Sequence, residues 1–379
     1  MRPPLTLLDE EEQVVRDAIA QFAREEILPR RSAMDEAQQM DPTLVRRLFE
    51  MELMSMGVPE AYSGTGTNFF ATVIAVEEVS RVDPAVGLLV DVQSTLIASA
   101  LLQWGTEEQK RRFLPRLCRD TIGSYALSES GAGSDAFALA TRAKPSGNDW
   151  ILRGTKLWIS SAQEAGLFIV FATVDPTAGH KGITAFLVER GMPGFSVGKK
   201  ENKLGIRASS TCEIVLEDVR VPRENLLGPV GEGYKVAIGT INEGRIGIAA
   251  QMLGLAEGAF EAALTYTRSR EQFGQTIFGF QAVSMRLAEM ASRIEAARLL
   301  TYNAARLKDA GLPFVKEAAM AKHMVSEVAE WVASQGIELL GGFGFTKDFP
   351  LEKYYRDSKV GKIYEGTTFM QLQTIARLL

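Results

Sequence analysis

The spacing of apolar residues divides the chain into three regions, the first of which is predicted to be helical. After an expected helix cap at Asp9, the apolar residues Val15, Ile19 and Phe22 recur at the spacing of one helix face. Further helices are predicted for the apolar runs at 42–54, 69–80, 84–102 and 107–118. Residues 1–120 are therefore predicted to form an all-helical domain.

The pattern changes between residues 121 and 229, where short runs of β-forming residues alternate with turn clusters. The predicted strands are Ile122–Leu127, Trp150–Ile159, Phe168–Val174, Ile183–Val188 and Cys212–Val221. This region is predicted to form a small antiparallel β-domain, either a barrel or a sandwich.

Long helices return after Gly233, with apolar positions separated alternately by three and four residues. These positions are Val283, Leu287, Met290, Ile294, Ala297 and Thr301, followed by Ala321, Val325, Val328 and Val332. The near-heptad spacing predicts an antiparallel helical bundle in residues 230–379, packed either as an intramolecular core or as an oligomer seam. The chain as a whole is expected to have an α+β fold.

Composition excludes some functional classes. At 379 residues the chain is too long for one compact core, and its net charge of −5 offers no basic surface for nucleic acid. The longest apolar run, Val86 to Leu102, is interrupted by Asp91, Gln93 and Ser94. This interruption favours a core helix over a membrane span.

The cysteines, the histidines and the N-terminus bear on chemistry and location. Cys118 and Cys212 have no C-x-x-C spacing, which indicates a reducing compartment. With only His180 and His323, neither a metal site nor a Ser-His-Asp triad is expected. The N-terminus turns acidic at once and lacks the features of a leader peptide. We therefore expect a bacterial cytoplasmic protein, or a mitochondrial matrix protein whose leader has been removed.

The segment Glu338–Thr368 joins a glycine-rich turn to a lone carboxylate. Gly341 and Gly342 allow bare backbone N–H groups to approach a phosphate, whereas a dry Glu365 is a candidate general base. No strand is followed by G-x-G-x-x-G and a helix, so a Rossmann fold is not expected.

Two motifs accompany predicted strands of the β-domain. Tyr125–Asp135 (Y-A-L-S-E-S-G-A-G-S-D) is either an ordinary polar loop or a loop that bonds a flat ring through its amides and Ser128, while Ser134 reaches an anion. Trp158, in K-L-W-I-S-S, is either a core residue or a stacking partner for an aromatic cofactor. For Trp158 taken alone, the core interpretation is the better one.

Two arginines mark the next predicted helix. Arg245, in the N-E-G-R motif that is expected to open this helix, is either a substrate-orienting cation or a paired surface residue. Arg270, at the end of the helix with Phe273, suits a pyrophosphate but also suits a helix C-terminus.

Together these motifs resemble those of the acyl-CoA dehydrogenases, a family of flavin enzymes. A-L-S-E-S-G-A-G-S-D at 126–135 matches the first family signature, and Glu338–Asp357 matches the second. The resemblance covers essentially the whole chain and is strongest, in the second half, to the short/branched-chain members. It implies an N-terminal all-α domain, a middle antiparallel β-barrel and a C-terminal four-helix bundle.

The resemblance also implies FAD as the cofactor and Glu365 as the catalytic base, with a pKa raised by burial between apolar neighbours. The positions that match cofactor contacts are Tyr125, Leu127, Ser128, Gly133, Ser134, Trp158, Ile159, Ser160, Arg270, Phe273, Gln281, Glu338, Leu339, Leu340, Gly341, Gly342, Thr367, Thr368 and Phe369. The positions that match substrate contacts are Ser134, His180, Tyr234, Asn242, Glu243, Gly244 and Arg245. Arg270, Gln281 and Glu338–Gly342 are expected to hold the FAD of a neighbouring subunit in a homotetramer.

The implied reaction introduces a trans double bond between Cα and Cβ of a short or 2-methyl-branched acyl-CoA and passes electrons to electron-transferring flavoprotein. Some relatives carry the base at the position of Gly244, which has no side chain to act, and Glu243 is turned by about 100° around the helix. The alternatives are an oxidase that uses O₂ and a non-catalytic scaffold. Phe369 and His180 depart from the family pattern, so their contacts to FAD and CoA are expected to differ.

Overall fold

The computed structural model describes residues 4–379, and its first region is helical, as predicted. The helices are α1 (Glu10–Phe22), α2 (Arg31–Ala37), α3 (Pro42–Glu50), α4 (Phe69–Val82), α5 (Pro84–Asp91), α6 (Ser99–Trp104) and α7 (Glu107–Arg119). Asp9 caps α1 as expected: its side chain accepts the Glu12 N–H at 2.9 Å, and the Glu12 carboxylate accepts the Asp9 N–H at 3.1 Å. This reciprocal capping satisfies two amides that a helix start leaves unpaired.

The apolar run that contains α5 and α6 is one continuous helix, Pro84–Trp104, with a π-helical segment at Val92–Ala98. Its mean hydropathy of 1.8 over 18 residues is high enough for a membrane span by length and composition, but 94% of that stretch is buried in the protein. The predicted core helix is therefore confirmed. A π-helical segment shifts the side chains that follow it around the axis, which is common beside functional sites.

The middle region is one eight-stranded sheet of mixed direction. Its strands are β1 (Gly123–Ala126), β2 (Arg142–Ser146), β3 (Asp149–Ser160), β4 (Leu167–Thr173), β5 (Ile183–Glu189), β6 (Phe195–Lys200), β7 (Thr211–Val221) and β8 (Leu226–Leu227). The order is β6-β7-β3-β2-β4-β5-β8, with β1 paired to β4.

Two features of this sheet differ from the expectation. β1 and β2 both run parallel to β4, so the sheet is not purely antiparallel. The strands β2, β6 and β8 were not predicted, because β2 and β6 carry mainly exposed or half-buried polar residues and β8 has only two residues. Apolar periodicity detects strands that bury a face, and these strands bury little.

The last region consists of three long helices, α8 (Gly233–Ser269), α9 (Gln281–Asp309) and α10 (Val315–Leu340), with the shorter α11 (Leu351–Ser358) and α12 (Thr368–Arg377). A small hairpin, β9 (Glu271–Gln272) and β10 (Gln275–Thr276), links α8 to α9. The stripe residues are buried within the chain except for Val283, which is half-buried, so the stripe forms an intramolecular core. The α+β fold with helical, β and helical regions is confirmed.

Helix α8 starts where the long helices were expected to return, nine residues before the N-E-G-R motif. It starts at Gly233, so the N-E-G-R motif at 242–245 lies inside the helix instead of opening it. A Cβ on Gly233 would lie 2.7 Å from the backbone carbon of Thr184, so glycine lets the first turn pack on β5.

A buried ion cluster joins the three regions. The Lys353 ammonium on α11 lies 2.9 Å from Asp83 Oδ1 and 2.6 Å from Asp357 Oδ2. Asp83 also caps α5 through the Ala85 N–H, and Asp357 Oδ1 accepts the Ile206 N–H of the middle region at 2.5 Å. All three charged side chains are buried. Burial opposes the charge, but Asp357 and Asp83 together raise the pKa of Lys353.

Replacing Lys353 by Met is expected to lower the free energy of unfolding by about 3–5 kcal/mol, because two buried carboxylates lose their counter-ion. The control is Lys347→Met, which removes an exposed ion pair with Glu36 and should cost less than about 1 kcal/mol. Urea unfolding at one fixed protein concentration measures both variants. Equal stability of the two variants would contradict the assigned role of the cluster.

Candidate active site

Glu365 lies in a tight turn between α11 and α12. Its φ is 49° and that of Gly366 is 89°, so two successive residues adopt left-handed conformations. The Gln371 side-chain amide donates to the carbonyl oxygens of Glu365 (3.0 Å) and Gly366 (2.8 Å), and the Lys322 ammonium donates to that of Gly366 (2.6 Å). These bonds hold a backbone conformation that L-residues otherwise avoid.

The Glu365 carboxylate is poised between protonation states. Its Oε2 is sealed from solvent and has no hydrogen-bond partner among residues 4–379. Burial raises the pKa of Glu365 to about 7, while the nearby cations Lys322 and Arg245 oppose the rise. The pKa is thus raised in the expected direction, and two cations share the site with the apolar neighbours Gly244 and Leu96. A carboxylate with a pKa near 7 is well matched to proton abstraction.

Gly244 on α8 faces this carboxylate. A Cβ on Gly244 would lie 3.0 Å from Glu365 Oε2 and 3.0 Å from Leu96 Cδ2, so glycine lets the carboxylate and Leu96 approach α8 closely. Leu96 belongs to the π-helical segment that precedes α6. The next residue, Arg245, is buried, donates to Asn242 Oδ1 at 2.9 Å and has a buried Nε with no partner in the described chain. The interpretation of Arg245 as a paired surface residue is therefore wrong.

Glu243 is directed elsewhere. Its carboxylate accepts hydrogen bonds from Ser99 (2.6 Å) and Gln103 (2.6 Å), and Lys308 lies 3.4 Å away. These contacts hold α8 to α6 and α9. Glu243 is thus committed to helix packing, and its geometry gives no support to the substrate contact that was expected.

Aromatic residues cluster near the start of α8. The His180 and Tyr234 rings meet edge to face with centroids 4.8 Å apart, and Phe137 approaches Tyr234 at 6.3 Å. Deeper in, the Tyr125 hydroxyl bonds Thr240 Oγ1 at 2.8 Å. The structure therefore brings together His180 and Tyr234, two predicted substrate positions that are 54 residues apart in sequence.

The loop after β1 is held by contacts from β3 and has an exposed tip. Lys156 forms a buried ion pair with Glu129 (2.6 Å) and donates to the Leu127 carbonyl (3.0 Å), while the Leu157 N–H donates to the Ser128 carbonyl (2.9 Å). Gly133 and Ser134 remain exposed. The loop is thus held against the end of β3, where Ile159 is buried and Ser160 is half-buried.

Trp158 projects from this surface. The side chain is 59% exposed, and its φ of 63° places it in the left-handed region. The interpretation of Trp158 as a core residue is therefore wrong. An exposed indole on a left-handed backbone position is a surface on which a flat aromatic ring can stack.

A second concave surface lies at the far ends of α8 and α10. Arg270 and the glycine turn Glu338–Gly342 line the same groove of about 520 Å³. The Arg270 guanidinium lies 5.7 Å from the centre of the Phe343 ring. Gly341 has a φ of 59°, and no atom lies within 4 Å of where a Cβ would stand on Gly341 or Gly342. The turn can thus expose backbone to a bound phosphate, as predicted.

The groove is remote from the base of the same chain. Arg270 follows Gly244 by 26 residues along α8, which corresponds to about 39 Å in an α-helix. Phe273 in the adjoining hairpin is 94% exposed, and Gln281 is exposed at the start of α9. These side chains contact little within their own chain.

Comparison with known sequences decides the family. Family models described as the N-terminal, middle and C-terminal domains of acyl-CoA dehydrogenase match residues 9–121, 124–219 and 231–379. The chain is also 52% identical over 374 residues to the mitochondrial short/branched chain specific acyl-CoA dehydrogenase of Rattus norvegicus, covering 99% of this chain and 87% of that protein. The chain belongs to the acyl-CoA dehydrogenase family.

Solved structures agree with this assignment. Butyryl-CoA dehydrogenase from Megasphaera elsdenii superposes with a TM-score of 0.97 at 37% identity, over 100% of this chain and 99% of that one. A glutaryl-CoA dehydrogenase from Mycobacterium smegmatis in complex with FADH2 gives 0.93 at 32% identity, over 98% and 95%. The chain is thus an acyl-CoA dehydrogenase family member, and its named relatives are oxidoreductases.

Three residues of this acyl-CoA dehydrogenase site escaped the sequence analysis. Lys322 and Gln371 are read from sequence as ordinary positions of α10 and α12, and Glu129 as one more polar residue of a loop. A buried lysine or glutamine at a helix position is visible only once the packing is known. After the base, Thr367 and Thr368 start α12, and Phe369 is 80% exposed.

Replacing Gly244 by Ala is expected to lower kcat by about 10- to 100-fold, because the new methyl group displaces the Glu365 carboxylate. Gly239→Ala on the same helix is the matched control, since a Cβ there meets nothing closer than 3.6 Å. Steady-state dehydrogenation assays of both variants give the comparison. Full activity of Gly244→Ala would show that the close approach of Gly244 to Glu365 is not needed for the reaction.

Proposed function

We propose that this protein catalyses the α,β-dehydrogenation of short or 2-methyl-branched acyl-CoA thioesters to trans-2-enoyl-CoA, with Glu365 as the base. The observation that supports this most strongly is the Glu365 Oε2 atom, which is sealed from solvent beside Gly244 and has no protein partner in the described chain. An unpaired buried acceptor is costly unless a ligand satisfies it.

Glu365 takes the α-proton of the thioester as the C–H bond weakens. The charge that develops on the thioester carbonyl oxygen needs a hydrogen-bond donor, and the Glu365 N–H donates to no acceptor within residues 4–379. The left-handed turn presents this N–H and the carboxylate from one residue. One residue thus supplies both the base and an oxyanion donor.

The residues fit FAD. The exposed Trp158, with Tyr125, Leu127, Ser128, Gly133, Ser134, Ile159 and Ser160, would hold its flavin ring. Thr367, Thr368 and Phe369 would close over the flavin ring. Phe369 has no polar side-chain atom, so it would contact FAD through its backbone. When bound, FAD supplies the acceptor for the hydride that leaves Cβ. His180, Tyr234, Asn242 and Arg245 would contact the CoA thioester.

We also propose that the enzyme works as a homotetramer. The groove of Arg270, Phe273 and Glu338–Gly342 lies about 39 Å along α8 from the residue facing the base, which is too far for one FAD to connect within one chain. The groove, with Gln281, would therefore hold the diphosphate and adenosine of the neighbouring subunit's FAD. Electron-transferring flavoprotein is the proposed acceptor, in the bacterial cytoplasm or the mitochondrial matrix.

Replacing Glu365 by Gln is expected to leave folded, flavin-containing protein whose dehydrogenation is slowed by at least about 1000-fold, because the amide cannot accept the proton. Anaerobic titration with butyryl-CoA and 2-methylbutyryl-CoA measures bleaching of the flavin band. Wild-type turnover with O₂ alone, compared with a dye acceptor, tests the oxidase alternative. Undiminished turnover in Glu365→Gln would refute the base, and no bleaching of the wild type would favour a scaffold.

The pH dependence follows from the same carboxylate. Because the ionised form of Glu365 is the base and its pKa is raised to about 7, kcat/KM should rise with pH through about 7 and then level off. If the acidic limb of the pH profile, the range in which kcat/KM rises with pH, lay near the ordinary glutamate pKa, this would contradict a desolvated Glu365. The profile is measured with saturating dye acceptor, so that proton abstraction is observed separately from reoxidation.

A further inference from the structure

The base-bearing turn is anchored to α10 by two side chains one helical turn apart. Lys322 donates from its ammonium to the Gly366 carbonyl at 2.6 Å. Ser326 donates to the Gly361 carbonyl at 2.9 Å, so both ends of the segment 361–366 are fixed to the same face of the helix. Residues at i and i+4 lie on the same face of a helix, so Lys322 and Ser326 can both bind the segment 361–366.

Lys322 is an unusual lysine. Its side chain is 1% exposed, and no carboxylate among residues 4–379 lies within ion-pair distance of its ammonium. Burying an ammonium without a paired acid is expensive and requires some compensation. The hydrogen bond to Gly366 and the charge of Glu365 both favour the ammonium, but burial outweighs them and lowers the pKa of Lys322.

Gln371 completes the arrangement from the opposite side. Its amide reaches the carbonyls of both left-handed residues, Glu365 and Gly366, and its side chain is buried. A Cβ on Gly366 would lie 2.8 Å from this amide nitrogen, so the contact leaves no room for another residue at that position. The two carbonyls are therefore turned away from the substrate space and towards Lys322 and Gln371.

We propose that Lys322 and Gln371 are positioning residues of the proposed reaction: they clamp the turn so that the carboxylate and the N–H of Glu365 face the substrate. This inference rests on the proposed role of Glu365. The Lys322 clamp also places a positive charge beside the base. The charged groups that face Lys322 from the surrounding elements are Glu365 on the turn and Arg245 on α8.

The two members of the clamp act differently. Removing the lysine removes both a hydrogen bond and a charge that lowers the pKa of Glu365, so the base becomes harder to ionise. Removing the glutamine amide frees the turn but changes no charge. Burial lowers the pKa of Lys322 to about 7, so its charge and that of Glu365 vary over the same pH range and support each other.

The test compares Lys322→Met, Lys322→Arg and Gln371→Leu with the control Lys316→Met, a partly exposed lysine on the same helix. Lys322→Met should lower kcat about 10-fold or more, with a smaller change in KM, and move the acidic limb up by about one pH unit. Lys322→Arg should restore the limb. Gln371→Leu should lower kcat without moving the limb, and Lys316→Met should change neither.

A second readout is independent of turnover. Infrared titration of the protonated carboxyl band, assigned by its loss in Glu365→Gln, reports the ionisation of Glu365 itself. The midpoint should rise in Lys322→Met even if no acyl-CoA is turned over, so failure of the proposed function and failure of the clamp are distinguishable. A folded Lys322→Met protein with a wild-type midpoint and limb overturns the proposal. If that variant does not fold, full kcat in Gln371→Leu overturns it.

Discussion

The active site depends on the buried ion cluster of Lys353, Asp83 and Asp357, because this cluster fixes the three regions relative to each other. Asp83 starts the helix that leads to Leu96, and Asp357 precedes the turn of Glu365 by eight residues. The bond from Ile206 to Asp357 attaches the middle region to the same point. The segments that carry Leu96 and Glu365 therefore both begin at this cluster.

A second constraint is the desolvation of Glu365. A carboxylate that must take up a proton cannot be fully satisfied by the protein, and the orphan Oε2 is the result. The cations Lys322 and Arg245 lie close enough to limit the rise of its pKa, but neither forms an ion pair with it. A direct ion pair would lower the pKa of Glu365 further and weaken it as a base. Cations that lie nearby without contacting the carboxylate therefore suit proton abstraction.

Much of the fold could be predicted from the sequence because periodicity reports which faces are buried. The cap at Asp9, the core helix at Pro84–Trp104 and the stripe of α9 and α10 were all predicted correctly. The polar strands β2 and β6 were missed, since neither carries an apolar pattern.

For the site, the family resemblance, the candidate base Glu365 and the glycine-rich turn could be predicted from the sequence, because short motifs with fixed spacing carry those signals. The surroundings of Glu365 became visible in the folded chain. It placed Gly244 against the carboxylate, exposed Trp158, directed Glu243 away and brought Lys322 and Gln371 to the turn. The charge balance and the packing around Glu365 depend on side chains from distant helices, and no local sequence pattern records which of these side chains meet.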